Sequence, residues 1–158
     1  MKPRLEYQKV APDGVRAMLG LEAYLEKSGL DRKLVYLVIL RASQINGCAY
    51  CIDMHSKDLR AEGESEQRLY LLDGWREAPF YSDRERAALA WAEAVTKLPD
   101  REVPDEVYNQ ARAQFSEKEL VDLTFALVAI NGWNRLNIAF RTVAGSYQPK
   151  AARQGSAS

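Results

Sequence analysis

Histidine is all but missing from this chain: one residue in 158, His55. Cysteine is nearly as scarce, with Cys48 and Cys51 alone. Three such side chains cannot complete the usual four-ligand structural zinc site without a carboxylate or a second subunit. Two cysteines three positions apart close too small a loop to staple a fold, so a disulfide framework is excluded as well. Long apolar runs are also lacking. The longest, Phe125-Ala126-Leu127-Val128-Ala129-Ile130, is far short of a bilayer span. The start, Met1-Lys2-Pro3-Arg4-Leu5-Glu6, has no apolar core of the kind a signal peptide carries. A cytoplasmic protein is expected, with no membrane partner. Charge of either sign is not in excess: 22 Lys and Arg balance 22 Asp and Glu. With no basic run and no aromatic-basic interleaving, nothing marks a nucleic-acid partner. Alternating Val, Ile and Thr are absent, and so is any internal repeat, which argues against strands and solenoids.

What is present is helical periodicity. Apolar residues make up 47% and charged residues 28%, ordinary for one soluble domain. Val15, Met18, Leu19, Leu21 and Leu25 predict a helix over Pro12 to Ser28, stopped by Gly29. Asp31 is placed to cap a second helix reaching Gln44, with Leu34, Leu37, Val38 and Ile45 on its buried side. Asn46-Gly47 is a strong turn signal and launches a third helix from Cys48 to Ala61. A short helix follows over Glu66 to Leu72. Ser82-Asp83-Arg84-Glu85 and Ser116-Glu117-Lys118-Glu119 both have the form of a capping box. The first opens a helix through Val95. The second opens a long one from Glu117 to Val143, with a kink expected near Gly132. Pro104 suits the first turn of the helix between them. Leu120, Val121, Leu123, Phe125, Leu127, Val128 and Ile130 cover more than one face of the last helix, which in a short chain suggests a subunit interface. The reading is all-α, one domain over residues 1–146, with 147–158 expected to be a disordered tail.

Both cysteines and the only histidine fall inside Cys48-Ala49-Tyr50-Cys51-Ile52-Asp53-Met54-His55. On a helix, steps of three and four residues put all three side chains on one stripe. Helical Cα atoms three residues apart lie roughly 5–5.5 Å from each other, inside the disulfide range. His55, one turn beyond Cys51, is placed to take or give a proton. Competing readings are a metal completed by outside ligands, inert buried thiols, and a thioredoxin-type site. The last normally follows a strand, which this chain does not offer. Redox chemistry is favoured, with no metal and no cofactor. A helix N-terminus after Gly47 favours thiolate at Cys48, and a neighbouring imidazole favours it at Cys51. These residues alone do not decide which sulfur attacks. Nothing defines a substrate pocket beyond apolar residues and Tyr50, Trp75 or Trp91.

The run Arg41-Ala42-Ser43-Gln44-Ile45-Asn46-Gly47-Cys48-Ala49-Tyr50-Cys51-Ile52-Asp53-Met54-His55 resembles the carboxymuconolactone decarboxylase/AhpD-like family, in its alkylhydroperoxidase branch. Tyr81 to Trp91 and Asn131 to Asn137 are similar to it too, so the likeness spans about Leu5 to Ser146. It implies an all-helical fold assembling as a homotrimer or homohexamer. It also implies that Cys51 is the peroxidatic residue and Cys48 the resolving one. The substrate implied is an organic hydroperoxide, and an external dithiol of lipoyl or thioredoxin type restores the pair.

One position departs from the family pattern. Where related proteins carry a relay Glu twelve residues before the first cysteine, this chain has Tyr36, a phenol that stays neutral at pH 7. Tyr36 can hydrogen-bond His55 or serve as a core aromatic; Glu85 or Glu93 could supply the missing carboxylate. Weak peroxidase turnover is therefore expected. The alternative is a disulfide oxidoreductase or redox sensor acting on a small disulfide, and a third reading is a non-redox scaffold or decarboxylase-like enzyme. Trp133, Asn134 and Arg135 interrupt an apolar helix; a kink cap or a subunit contact is favoured for them over a place in the site.

Overall fold

The computed structural model describes residues 2–149. Eight α-helices run along them: α1 (Tyr7–Val10), α2 (Pro12–Leu25), α3 (Arg32–Asn46), α4 (Ala49–Ala61), α5 (Glu66–Tyr70), α6 (Asp83–Lys97), α7 (Asp105–Gln114) and α8 (Glu117–Phe140). No strand occurs among the described residues. The fold is all-α, as the periodicity predicts.

Local chemistry sets the boundaries. The Asp31 carboxylate accepts the Leu34 N–H at 2.7 Å and starts α3. Both capping boxes close: Ser82 with Glu85 at α6, Ser116 with Glu119 at α8. Each such cap stabilises its helix by about 1 kcal/mol. The short α1 was not legible in the sequence. It is a single turn held by tertiary contacts, including an Arg4 N–H to Phe140 carbonyl bond of 2.9 Å.

α3 is the central element and packs against α4, α6 and α8. Its Leu34, Val38 and Ala42 share one apolar cluster with Ala88 and Ala92 of α6 and Leu123, Ala126, Leu127 and Ile130 of α8. Its Leu37 and Leu40 face a second cluster with Leu59, Leu72, Trp75, Tyr81 and Leu89. Burying each of these leucines contributes roughly 1.5–3 kcal/mol. The apolar excess of α8 divides between two faces. Leu120, Leu123, Leu127 and Ile130 enter the core, while Val121, Phe125 and Val128 form an exposed stripe.

The kink expected near Gly132 does not occur; α8 runs unbroken to Phe140. Gly132 faces Met18 of α2 instead. A Cβ there would lie 2.9 Å from the terminal methyl of Met18, a contact that the flexible methionine could relieve by a shift of its end. Of the tail expected to be disordered from 147 onward, Tyr147 lies against α4, its hydroxyl donating to Asp58 at 2.7 Å. Positions 150–158 lie outside the described residues. No helix among the described residues is long and apolar enough to cross a membrane.

Candidate redox site

The site is built on a corner. Gly47, at φ 69°, adopts the left-handed conformation that ends α3. The Gly47 N–H bonds the Gln44 carbonyl (3.1 Å) and the Cys48 N–H bonds the Ser43 carbonyl (3.0 Å), the paired bonds of a Schellman motif. Cys48 then acts at once as the N-cap residue of α4, its carbonyl accepting the Ile52 N–H at 2.9 Å. Asn46-Gly47 thus turns the chain so that one residue closes one helix and opens the next. Cys51 and His55 follow on α4, one turn apart.

Both cysteines are free thiols, sealed from solvent at 1% and 2% exposure, and His55 is 8% exposed. α8 supplies the polar environment of the sulfurs. The Asn137 amide donates to the Cys51 sulfur at 3.4 Å, while its oxygen accepts the Tyr7 hydroxyl at 3.1 Å. Asn134, fully buried, donates to the Ser43 hydroxyl (3.1 Å) and accepts from the Asn46 amide (2.8 Å). Of Trp133, Asn134 and Arg135, only Asn134 turns into the site. Trp133 donates to Glu22, and Arg135 to Asn131.

The two thiols are electrostatically unlike. Cys48 is pulled down to about 7, first by the neighbouring Cys51 thiol, which can donate to its sulfur, and against burial, which pushes it up. The backbone N–H groups of Cys51 and Tyr50 and the Asn134 side chain favour the Cys48 anion too. Its sulfur does not close a full capping hydrogen bond, so these N–H groups act on it as the dipoles of a helix N-terminus. Cys51 is pushed up, first by its hydrogen bond with Cys48 and then by burial, although Asn134 and Asn137 oppose the shift. These influences favour the anion on Cys48 over Cys51. Tyr7, buried beside both sulfurs, is raised to about 12, chiefly by burial.

The residues suggested as relay partners lie as follows. Tyr36 stacks its ring on His55, with centroids 6.2 Å apart, but its hydroxyl accepts from Arg32 at 2.9 and 3.1 Å rather than meeting the imidazole. Glu85 is held by Arg68 and by the Ser82 cap. Glu93 is held by Arg41, Trp75 and Arg76. Neither glutamate is paired with His55. The carboxylate that does stand beside it is Asp58, whose Oδ2 is 3.4 Å from Nδ1. Sequence reasoning missed Asp58; the only available signal was its position three residues after His55, on the same helical face. Tyr50, one candidate pocket residue, packs at the edge of the cluster holding the thiols. Trp91 belongs to that same cluster, its indole N–H donating to Thr124, whereas Trp75 lies in the second cluster and donates to Glu93. No group of three or more His, Cys, Asp or Glu side chains suited to a metal ion is found among the described residues.

Residues 12–94 match the profile of the Carboxymuconolactone decarboxylase family. The uncharacterised protein YdfG of Bacillus subtilis (strain 168) is 44% identical over 146 residues, spanning 92% of this chain and 99% of YdfG. A solved protein of unknown function from Agrobacterium tumefaciens, named for the antioxidant defence protein AhpD, is 45% identical. It superposes with a TM-score of 0.86 over 94% of this chain and 99% of its own. The debrominase Bmp8 is similar in fold alone: TM-score 0.79 at 21% identity, over 88% of this chain and 75% of its own.

Proposed function

Because the chain belongs to the carboxymuconolactone decarboxylase family, we propose that Cys48, Cys51 and His55 form the redox centre of a thiol-dependent peroxidase. The observation that carries this reading is the placement of two buried free thiols at the start of one helix, Cys48 at its N-cap and Cys51 in its first turn. A thiolate attacks the O–O bond of an organic hydroperoxide, one oxygen leaves as the alcohol, and the sulfur becomes a sulfenic acid. The second thiol gives up its proton and attacks that sulfur, expelling water and forming the Cys48–Cys51 disulfide. An external dithiol returns two electrons and two protons.

The family resemblance implies Cys51 as the first nucleophile. The charge distribution favours Cys48 for that step and leaves Cys51 as the thiol that must be deprotonated to close the disulfide. His55, one turn along the same helical face, where neighbouring Cβ atoms lie about 5–6 Å apart, is the base we assign to Cys51. A cytoplasmic setting suits this chemistry, since thiols stay reduced there. The exposed stripe of Val121, Phe125 and Val128 is the face we assign to assembly with further copies of the chain, as a trimer or hexamer.

The test is a stoichiometric titration. Reduced protein is mixed with an organic hydroperoxide and its free thiols are counted over time, beside Cys48→Ser, Cys51→Ser and His55→Ala. Rapid loss of two thiols that needs all three residues is expected. A second reading, disulfide exchange or redox sensing without efficient peroxide chemistry, is favoured by Tyr36, which stands where related proteins carry a relay Glu and whose hydroxyl meets Arg32 rather than His55. Fast reaction with a small disulfide, alongside slow reaction with hydroperoxide, would select it.

A further inference from the structure

His55 presents an unresolved polar group. Its Nδ1 is buried and has no hydrogen-bond partner among the described residues. Asp58 Oδ2 lies 3.4 Å from it, within reach but off the line a full hydrogen bond needs. A buried donor left unmade costs about 1–3 kcal/mol, so a small ring rotation that closes this bond is favourable. Asp58 cannot drift away to compensate. Its other oxygen accepts the Tyr147 hydroxyl at 2.7 Å, and the carboxylate is itself buried.

Tyr147 is fixed in turn. Lys57 Nζ donates to the Tyr147 carbonyl (3.0 Å) and to the Gly145 carbonyl (3.3 Å). The Gly145 N–H donates to Asp53 Oδ2 (3.0 Å), and Lys57 pairs with that same oxygen (2.9 Å). The segment after α8 is thus tied to α4 at Asp53, Lys57 and Asp58. Tyr36 lies against the imidazole ring, with centroids 6.2 Å apart, and limits its rotation there.

We propose that Asp58, held in place by Tyr147, is the positioning carboxylate that orients His55 by accepting its Nδ1–H, leaving Nε2 unprotonated to receive a thiol proton. This rests on the peroxidase reading for its purpose but not for its geometry. It gives the chain a carboxylate partner for histidine from a different place than position 36. Tyr36 contributes the stacked wall and not the charge.

The single histidine makes the test clean. The full reduced chain is labelled with ¹⁵N-histidine, and the two imidazole nitrogens are read by NMR through their couplings to ring protons. The wild type should show the Nδ1–H tautomer. Asp58→Ala should move it towards Nε2–H, the form preferred by an unrestrained imidazole, and Asp58→Glu should restore part of the original signal. Tyr147→Phe should shift it the same way, by less. Peroxide-driven thiol loss should slow on the order of tenfold in Asp58→Ala, by analogy with the carboxylate partners of metal-bound histidines. It should slow no further when Asp58→Ala is added to His55→Ala. A tautomer that ignores Asp58→Ala overturns the inference even if thiol loss depends on both cysteines and His55. So does a shifted tautomer with an unchanged rate in an active protein. The expected tautomer in a wild type inert to hydroperoxide upholds the orientation and rejects the peroxidase reading alone.

Discussion

Replacing Cys51 by alanine should raise the pH at which Cys48 ionises. The neighbouring thiol is the largest influence holding Cys48 at about 7, and burial works against it. With that donor gone, burial is offset only by the Cys51 and Tyr50 backbone N–H groups and by Asn134, and the thiol should return towards the ordinary value of about 8.5. At pH 7 the thiolate fraction then falls from about one half to about 3%, roughly fifteenfold. Reactivity falls less, because a more basic thiolate is a better nucleophile. With a Brønsted slope of about 0.4–0.5, a rise of about 1.5 pH units recovers roughly fivefold, leaving alkylation at pH 7 only about threefold slower.

The midpoint is therefore the better observable than the rate. It is read from thiolate ultraviolet absorbance across pH, and checked by the pH dependence of alkylation, in which the common burial of the site cancels. Cys48→Ala should do the reverse to Cys51, whose ionisation should become easier once its partner no longer takes its hydrogen bond. If Cys48 still titrates near 7 in Cys51→Ala, the shared proton is not the cause and the helix terminus must be. If Cys51 proves the more acidic sulfur in the wild type, the assignment of charge is wrong, and the attack order implied by the family resemblance stands.

Four further perturbations probe the frame of the site. Gly47→Ala meets no atom within 4 Å but must hold a left-handed φ of 69°, so it should cost about 1–2 kcal/mol in urea unfolding and slow thiol reactivity by disturbing the corner. Asn134→Ala strips partners from Ser43 and Asn46, and should destabilise by about 1–3 kcal/mol in the same assay. Tyr36→Phe removes a hydroxyl aimed at Arg32 rather than His55, so the thiol-loss rate should stay within about twofold; a large drop would restore Tyr36 as a relay group. Burial pushes Glu93 up, but bonds from Trp75, Arg76 and Arg41 prevail and hold it at about 2 against 4.5 unperturbed. A depressed carboxylate stabilises the fold above its unfolded value, and that contribution drains away as pH falls from about 4.5 to about 2. Chemical denaturation across that window should show the loss, and Glu93→Gln should flatten it.

Local chemistry was readable and tertiary chemistry was not. Caps at Asp31, Ser82 and Ser116 lie within four residues of the helix turns they satisfy, so a sequence displays them directly. The same holds for Cys48, Cys51 and His55, which one helix aligns. Their surroundings come from afar: Tyr7 from the start of the chain, Asn134 and Asn137 from α8, Tyr147 from beyond it. Asp58 was near in sequence, yet an aspartate on a helix is ordinarily a solvated surface residue, and only burial by Tyr147 distinguishes it. Glu93 failed as a relay candidate for the opposite reason. Its three donors are spread over residues 41, 75 and 76, and no spacing rule connects them. The apolar surplus of α8 was visible, but which part would face the core depended on where α3 lay.

The geometry also indicates which step of a redox cycle is difficult. Cys48 stands at an N-cap, in extended backbone at φ −81° and ψ 94°, while Cys51 is fixed within the first turn. Residues three apart at a helix start are already within roughly 5–5.5 Å at Cα, so closing a disulfide asks for side-chain rotation and little backbone movement. Reaching the sulfurs asks for more, since neither exposes more than 2% of its surface. Entry of an oxidant must open a path past the aromatic and amide groups around the thiols, whereas bond formation afterwards is almost preorganised. A bulky hydroperoxide should therefore lose rate through access and not through the final closure, and the sulfenic acid, once formed, should be captured by the second thiol before solvent or a second oxidant can reach it.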